Sequence, residues 1–332
     1  MSQASQMNKM SQMNQMNQDS AVRVAAVDCG TNSLRLLIAD VDRREGTLTD
    51  VDRRMEIVRL GQGVDATGRI AAEPLARTLR ALADYSDEIT RAGAASVRMV
   101  ATSAIRDAAN AAEFIAGVTR ILGVPPEVLS GDEEARLSFA GATAELAAIP
   151  GALAPYLVVD IGGGSTEFVL GAARQVAGVS VDIGCVRMTE RHLHSDPPLA
   201  AEVAAATADI DAALDQVAAK VPVAGARTLI GLAGSVTTVA GIALGLPAYD
   251  RSRIHHARVP AATVHRIAED LLGQTRAQRA VIGVMHPGRV DVIGAGALVL
   301  DRVLARFGFA DVMVSEHDIL DGIAWSLCPD GR

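Results

Sequence analysis

A chain of 332 residues is long enough for two domains of ordinary size. Its 49% hydrophobic and 21% charged residues read as a soluble globular protein, and with aromatics at 3% alanine must fill much of the interior. A net charge of −8 argues against general nucleic-acid affinity, and since only Lys9 and Lys220 are lysines, positive charge is almost all arginine, whose planar fork suits phosphate.

Residues 1–20 are mostly Ser, Gln, Asn and Met without an apolar core, which excludes a secretory signal and reads as a disordered N-terminal extension. No apolar run reaches the roughly 18 residues of a membrane span. Cys29, Cys185 and Cys328 lack the even count of a disulfide framework and any paired zinc spacing, so a reduced, cytoplasmic location is expected.

From Val22 a β-rich run leads through Asp28-Cys29-Gly30-Thr31-Asn32-Ser33 straight into a second run, Leu34 to Val41. The phrase therefore reads as a hairpin turn. A third strand is expected near Met55 to Leu60. A helix opens at Glu73-Pro74, carries Leu75, Leu79, Leu82 and Ile89 on one side, and closes at Gly93. Ser96 to Ala101 is a short strand ending in Thr102-Ser103, with Arg106 in the turn beyond it. A helix from about Asn110 to Leu122 and a strand at Val128-Leu129 follow. Ser130-Gly131-Asp132-Glu133 is a capping box before a helix running through Leu146. The box occupies Glu133 and leaves Glu134 without a structural role.

Past Pro150 the glycine phrase returns as Asp160-Ile161-Gly162-Gly163-Gly164-Ser165, between strands at Tyr156 to Val159 and Glu167 to Leu170. It aligns Asp28 with Asp160, Gly30 with Gly162 and Ser33 with Ser165. Further strands are expected near Val176 to Val181 and Thr228 to Leu232. Gly231 to Thr238, with Gly234 and Ser235, is a third phosphate-loop candidate. Helices are expected at about Leu199 to Ala219, Ala261 to Gly273, Ala295 to Phe307 and Ser315 to Leu327. The alternation of strand and helix indicates an α/β protein.

Glycine turns let main-chain N–H groups converge on an anion, and flanking hydroxyls add donors. Gly30, Thr31, Asn32 and Ser33 of the first turn, and Gly162, Gly163, Gly164, Ser165 and Thr166 of the second, are thus candidate phosphate ligands. Asp160, and more weakly Asp28, stand at strand ends where a carboxylate can hold a divalent cation. Either can equally serve only its turn. Glu134 lies in the first turn of its helix, where the macrodipole favours the carboxylate form, and is the candidate base for an attacking water. Arg106 can reach phosphate oxygens with its fork, or pair at the surface. Glu167 either supports a metal's water shell or faces solvent.

Cys29 and Cys185 read as packing residues. His192 with His194, and His255 with His256, have no carboxylate or further histidine at ligand spacing. Arg251 to Arg258 is the densest basic stretch and either guides a polyanion or forms a solvated loop. No Walker phosphate loop occurs.

Two glycine hairpins heading two α/β domains resemble the actin, sugar-kinase and Hsp70 superfamily. Four phrases narrow this: Ala101 to Asn110, Ser130 to Arg136, Asp160 to Glu167 and Pro287 to Ile293. Together they are similar to the exopolyphosphatase and guanosine pentaphosphatase (Ppx/GppA) family over about residues 22 to 327. The resemblance implies two actin-like (ribonuclease H-like) domains with an active-site cleft between them. Residues 21–137 would form domain I, rejoined by a C-terminal helix at 315–328, and residues 138–314 would form domain II.

The implied activity is hydrolysis of a terminal phosphoanhydride with Mg²⁺, or Mn²⁺, releasing orthophosphate. An exopolyphosphatase acting on inorganic polyphosphate is the first expectation, and a guanosine pentaphosphate 5′-phosphohydrolase the second. The family's catalytic glutamate lies in the acidic pair Glu133-Glu134, and its matching arginine, here Arg106, is a phosphate ligand. Longer members carry a further helical region after the matched portion, which points here to short polyphosphate chains. Family members are often homodimers. A sugar kinase of the same superfamily fits less well, because the acidic pair and the Thr-Ser-Ala-Ile-Arg phrase match the hydrolases. A non-catalytic alarmone-binding regulator is the remaining expectation from another class, and retention of Glu134, Arg106 and both loops weighs against it.

Overall fold

The computed structural model describes residues 21–172 and 175–328; the N-terminal extension expected at 1–20 lies outside the described residues. The first sheet holds β1 (Val22–Cys29), β2 (Ser33–Asp42), β3 (Thr47–Ile57), β4 (Ser96–Ala101) and β5 (Glu127–Val128), in the order β3-β2-β1-β4-β5. β1 runs antiparallel to β2 and parallel to β4. It is a near-continuous apolar run because both its faces are covered. Ala25, Val27 and Cys29 pack with Leu82 and Tyr85 of the helix Ala72–Ala92, while Val24 and Ala26 pack with Ile319, Leu320 and Ile323.

β3 begins eight residues before the strand expected at Met55, and ends at Ile57 rather than Leu60. Its Thr, Asp, Arg and Glu side chains suit an exposed edge strand, where charge discourages further pairing, and hide it from an apolar-run reading.

The second sheet repeats the first. β6 (Tyr156–Ile161), β7 (Thr166–Ala172), β8 (Gln175–Val181), β9 (Thr228–Leu232), β10 (Arg258–Pro260) and β11 (Asp311–Val314) lie in the order β10-β11-β9-β6-β7-β8. β6 pairs antiparallel with β7 and parallel with β9, as β1 does with β2 and β4. Opposite faces of β6 again feed two cores, Leu157 and Val159 in one, Tyr156 and Val158 in the other. The fold is therefore α/β, with two actin-like domains, and the duplicated phrase is the tip of a duplicated hairpin.

Two helices cross between the sheets. Gly131–Thr143 leaves the first, and Ile319–Leu327 returns to pack on it. They meet backbone to backbone. A Cβ on Gly141 would lie 2.8 Å from the Gly322 nitrogen and closer still to the Asp318 carbonyl, and one on Gly322 would collide with the carbonyl of Leu137. The boundary expected between residues 137 and 138 falls inside the first of these helices.

The last helix starts at Ile319, not Ser315, because Asp318 and Asp321 form its capping box. Upstream, the Ser315 N–H donates to the Gly231 carbonyl and prolongs the pairing of β11 with β9. The expected loop Gly231 to Thr238 is a sharper feature. β9 turns directly into the helix Ala233–Ala243, and Ala233 takes the left-handed φ of 67°.

Candidate active site

Both hairpin tips close in the same way. The Gly30 N–H donates to the Ser33 carbonyl at 2.9 Å, and the Gly162 N–H to the Ser165 carbonyl at 3.1 Å. The tips then meet across the cleft. On the first domain's side, Thr31 Oγ1 shares a hydrogen bond of 2.9 Å with Ser103 Oγ, just beyond β4. A Cβ on Gly164 would lie 2.7 Å from Thr31 Oγ1, and one on Gly163 would lie 3.0 Å from Thr31 Cβ. Glycine at these positions is a condition of the close approach.

The tips enclose a cavity of about 90 Å³ lined by Gly30 to Ser33, Gly162 to Ser165, Ala233 to Ser235, and the side chains of Asp28, Arg35, Glu134, Asp160, Glu167 and Arg289. Of the candidate ligands, Arg106 does not line this cavity and meets it only through Glu134, and Thr166 is turned away. Its hydroxyl donates to the Ile183 carbonyl at 3.1 Å, because alternate residues of a strand face opposite ways and Glu167 takes the cavity side. Gly234 and Ser235 do line the cavity, as the first turn of a helix rather than a loop.

Four buried carboxylates converge here: Asp28, Glu134, Asp160 and Glu167. Burial, then the charge of Glu167, pushes Glu134 well above the ordinary glutamate range, against the pull of Arg106. A helix N-terminus alone would favour ionised Glu134, as expected, but desolvation beside other carboxylates outweighs it. Burial and Asp318 raise Asp160 to about 6, and burial and Asp160 raise Glu167 to about 7. Burial also raises Asp28, with Arg35 opposing. Glu133 behaves as its capping box requires: hydrogen bonds from Ser130 hold it below the glutamate range.

The partners of these groups are specific. Arg106 Nη1 donates to the Leu129 carbonyl at 2.8 Å and to Glu134 Oε2 at 3.3 Å. Ser138 Oγ donates to Asp160 Oδ2 at 2.7 Å, and Ser180 Oγ to Glu167 Oε1 at 2.7 Å. Arg35 donates to Asp28 Oδ2 at 2.6 Å and also pairs with Asp318, tying the first hairpin to the start of the returning helix. Asp28 Oδ1 is buried with no hydrogen-bond partner. An orphaned carboxylate oxygen amid mutually repelling carboxylates is the donor set a hard divalent cation requires, so the residues present fit Mg²⁺.

Arg289 lies in one of the family-like phrases but is not among the site residues expected from sequence. Its guanidinium lies over Gly234, where a Cβ would overlap it, and its one hydrogen bond is to Met55 Sδ at 3.2 Å. Among the described residues no carboxylate stands within ion-pair distance of it. Burial lowers its pKa. A half-buried cation without a counter-ion, at the edge of the cavity between the two glycine tips, marks a place for an anion.

A second cavity, of about 480 Å³, shares Arg35, Gly234 and Arg289 with the first and adds Arg53, Arg54, Arg251, Tyr249, Met55 and Met285. The basic stretch is less of a field than its composition suggests. Arg251 pairs with Asp50 at 2.7 Å and Arg258 with Asp311 at 2.6 Å. The three cysteines are buried, and burial raises the thiol pKa of each. His192 pairs with Asp209 at 2.9 Å. The doublet His255-His256 does find a carboxylate and a third imidazole, Glu145 and His317, both far along the chain.

The Ppx/GppA phosphatase family model matches residues 37–330. The chain is 52% identical to "Exopolyphosphatase 2" of Mycobacterium tuberculosis over 316 residues, covering 92% of this chain and 98% of that protein. Among solved structures, an exopolyphosphatase-like protein superposes with a TM-score of 0.88 at 42% identity, covering 93% and 98% of the two chains. The Aquifex aeolicus member of the Ppx/GppA family gives 0.77 at 30% identity, covering 94% and 100%.

Proposed function

Because this chain belongs to the Ppx/GppA phosphatase family, a family of phosphoanhydride hydrolases, we propose that it is an exopolyphosphatase releasing terminal orthophosphate from inorganic polyphosphate, short chains in particular. The observation that carries this reading is the small cavity where two glycine hairpins, four carboxylates and an uncompensated Arg289 converge. The terminal phosphate lies between the N–H groups of the two tips, and Arg106 and Arg289 donate to its oxygens. Glu134 accepts a proton from water as the water oxygen bonds to the terminal phosphorus. The bond to the bridging oxygen breaks, and its electron pair leaves with the shortened chain.

Asp160 and Asp28 would hold Mg²⁺ or Mn²⁺. Such an ion, when bound, neutralises charge on the phosphate oxygens and returns the neighbouring carboxylates toward their ionised forms. Arg106 also acts on the base itself, since its contact with Glu134 opposes the protonation that burial favours.

Hydrolysis of guanosine pentaphosphate is the second reading, favoured by the larger cavity, whose Tyr249, Met55 and Met285 offer apolar surface beside arginines. One experiment separates the readings. Orthophosphate release with Mg²⁺ is measured in parallel from tripolyphosphate, long polyphosphate, guanosine pentaphosphate and ATP. Highest kcat/KM on tripolyphosphate supports the proposal, and preference for guanosine pentaphosphate replaces it with the second reading. Binding of guanosine tetraphosphate without phosphate release from any of the four would make the protein a regulator. Three buried free cysteines suit the cytoplasm, which is part of the proposal, and no helix among the described residues is long and apolar enough to cross a membrane. The homodimer implied by the family is likewise proposed, and light scattering of the purified chain tests it.

A further inference from the structure

Three segments remote in sequence meet around one carboxylate oxygen. Glu145 follows the first crossover helix, His255 and His256 follow the short helix Arg251–Ile254, and His317 stands just before the cap of the returning helix. His255 Nε2 lies 2.7 Å, His317 Nδ1 3.0 Å and His256 Nε2 3.3 Å from Glu145 Oε1. The ligand-capable atoms of Glu145, His255 and His317 all fall within 4.8 Å of one another. The rings of His255 and His256 have centroids 3.7 Å apart, and those of His255 and His317 4.8 Å. One oxygen has too few lone pairs for three imidazoles. His256 Nε2 accordingly is buried without a hydrogen bond, although its backbone adopts a left-handed φ of 61° that holds its ring in the cluster.

We propose that Glu145, His255 and His317, with His256 as the adjacent fourth donor, bind a borderline transition-metal ion of the Zn²⁺ type, at a site separate from the catalytic carboxylates. The donor chemistry selects the ion: imidazole nitrogens with a single carboxylate suit Zn²⁺, Co²⁺ or Ni²⁺, whereas Mg²⁺ demands oxygen. The spacing suits it as well. Ligand bonds near 2.0 Å place the corners of a tetrahedron roughly 3.3 Å apart, so the Glu145 contacts widen slightly and the imidazoles draw in.

Loading has a structural consequence. His255 Nδ1 accepts the Glu316 N–H at 3.1 Å, which places the ring proton on Nε2. Ligation through Nε2 moves that proton to Nδ1, which then repels the Glu316 N–H. Glu316 also accepts from Tyr249 and stands 3.8 Å from Arg251, on the wall of the larger cavity. The ion thus ties both crossover connections together and displaces a segment bordering the substrate side.

The test uses the full chain, stripped by chelation and held in excess Mg²⁺ so that the catalytic carboxylates are occupied. Co²⁺ is titrated and its visible absorption recorded, followed by displacement with Zn²⁺. The expected result is one Co²⁺ per chain with the intense bands of tetrahedral coordination. His317→Ala and His255→Ala each weaken binding by at least about tenfold, and Glu134→Gln binds as the parent does. Circular dichroism checks each variant, and Glu145→Gln, which preserves shape, carries the test if an alanine variant does not fold. Binding untouched by all three substitutions, binding abolished by Glu134→Gln, or no bands with Co²⁺ in excess would each overturn the site.

Discussion

At Glu134 the proposed proton acceptor sits in surroundings that favour its protonated form. Replacing its carboxyl group by a permanently neutral amide should therefore spare the fold while stopping the reaction. Glu134→Gln is expected to lower kcat for phosphate release by about 10² to 10⁴, the usual worth of a positioned base, with a melting temperature at or above that of the parent. A variant that turns over normally would remove Glu134 from the mechanism. Glu133→Ala should do the opposite, lowering the melting temperature through loss of the acceptor half of the capping box while leaving turnover close to the parent's. Arg289→Gln should raise KM for the shortest substrate and largely spare stability, because a half-buried cation without a counter-ion disappears. A large loss of stability would mean that its role is structural. The placement of Glu134 on the cavity was legible because the capping box accounted for its neighbour. Arg289 was not: its isolation from every nearby carboxylate is a fact of three dimensions that spacing along a chain cannot express.

Among the elements, the two hairpin tips and the two crossing helices depend on glycine for closeness. Gly164→Ala pushes a methyl group against Thr31 and Ser103 and should part the tips, lowering kcat/KM for tripolyphosphate more than it lowers thermal stability. Gly141→Ala poses a sharper question of sign. Helix propensity alone favours alanine by about 1 kcal/mol, but overpacking costs about 1 to 3 kcal/mol, and here the obstacle is backbone that cannot rotate aside. The net change should be destabilising, and urea unfolding with an unchanged m-value measures it. Buried strands such as β1, β4 and β6 were legible as apolar runs bounded by turns. The polar edge strand β3 lacked that pattern. The helix Ala233–Ala243 was obscured by its opening Ala-Gly-Ser, which reads as loop until the sharp turn at Ala233 is seen.

Taken as a whole, the molecule concentrates buried acid at the junction of its halves. Asp160 at about 6 and Glu167 at about 7 lie above the ordinary values near 4 that they recover on unfolding. The native state then binds more protons than the unfolded chain between about pH 4 and pH 7, so stability falls as pH rises through that window and the penalty is complete above it. Chelated protein should melt at a progressively lower temperature from about pH 4 to pH 7 and level off above that. Added Mg²⁺ should raise the melting temperature more at the alkaline end, as scanning fluorimetry would read. A flat profile in chelator would mean that these carboxylates are better solvated than their burial indicates. The two-domain plan was legible from the repeated phrase. The meeting of Glu145, His255 and His317 was not, since sheet pairing and both crossovers must form before those side chains become neighbours.

The burial of all three native cysteines has a practical use. Thiol reagents reach such residues slowly, so cysteines introduced at exposed points on either half, such as Val22 and Val281, could carry a fluorophore pair without first replacing the native ones. The separation of the two halves could then be followed in solution by energy transfer, in the wild-type background, as substrate and metal are added.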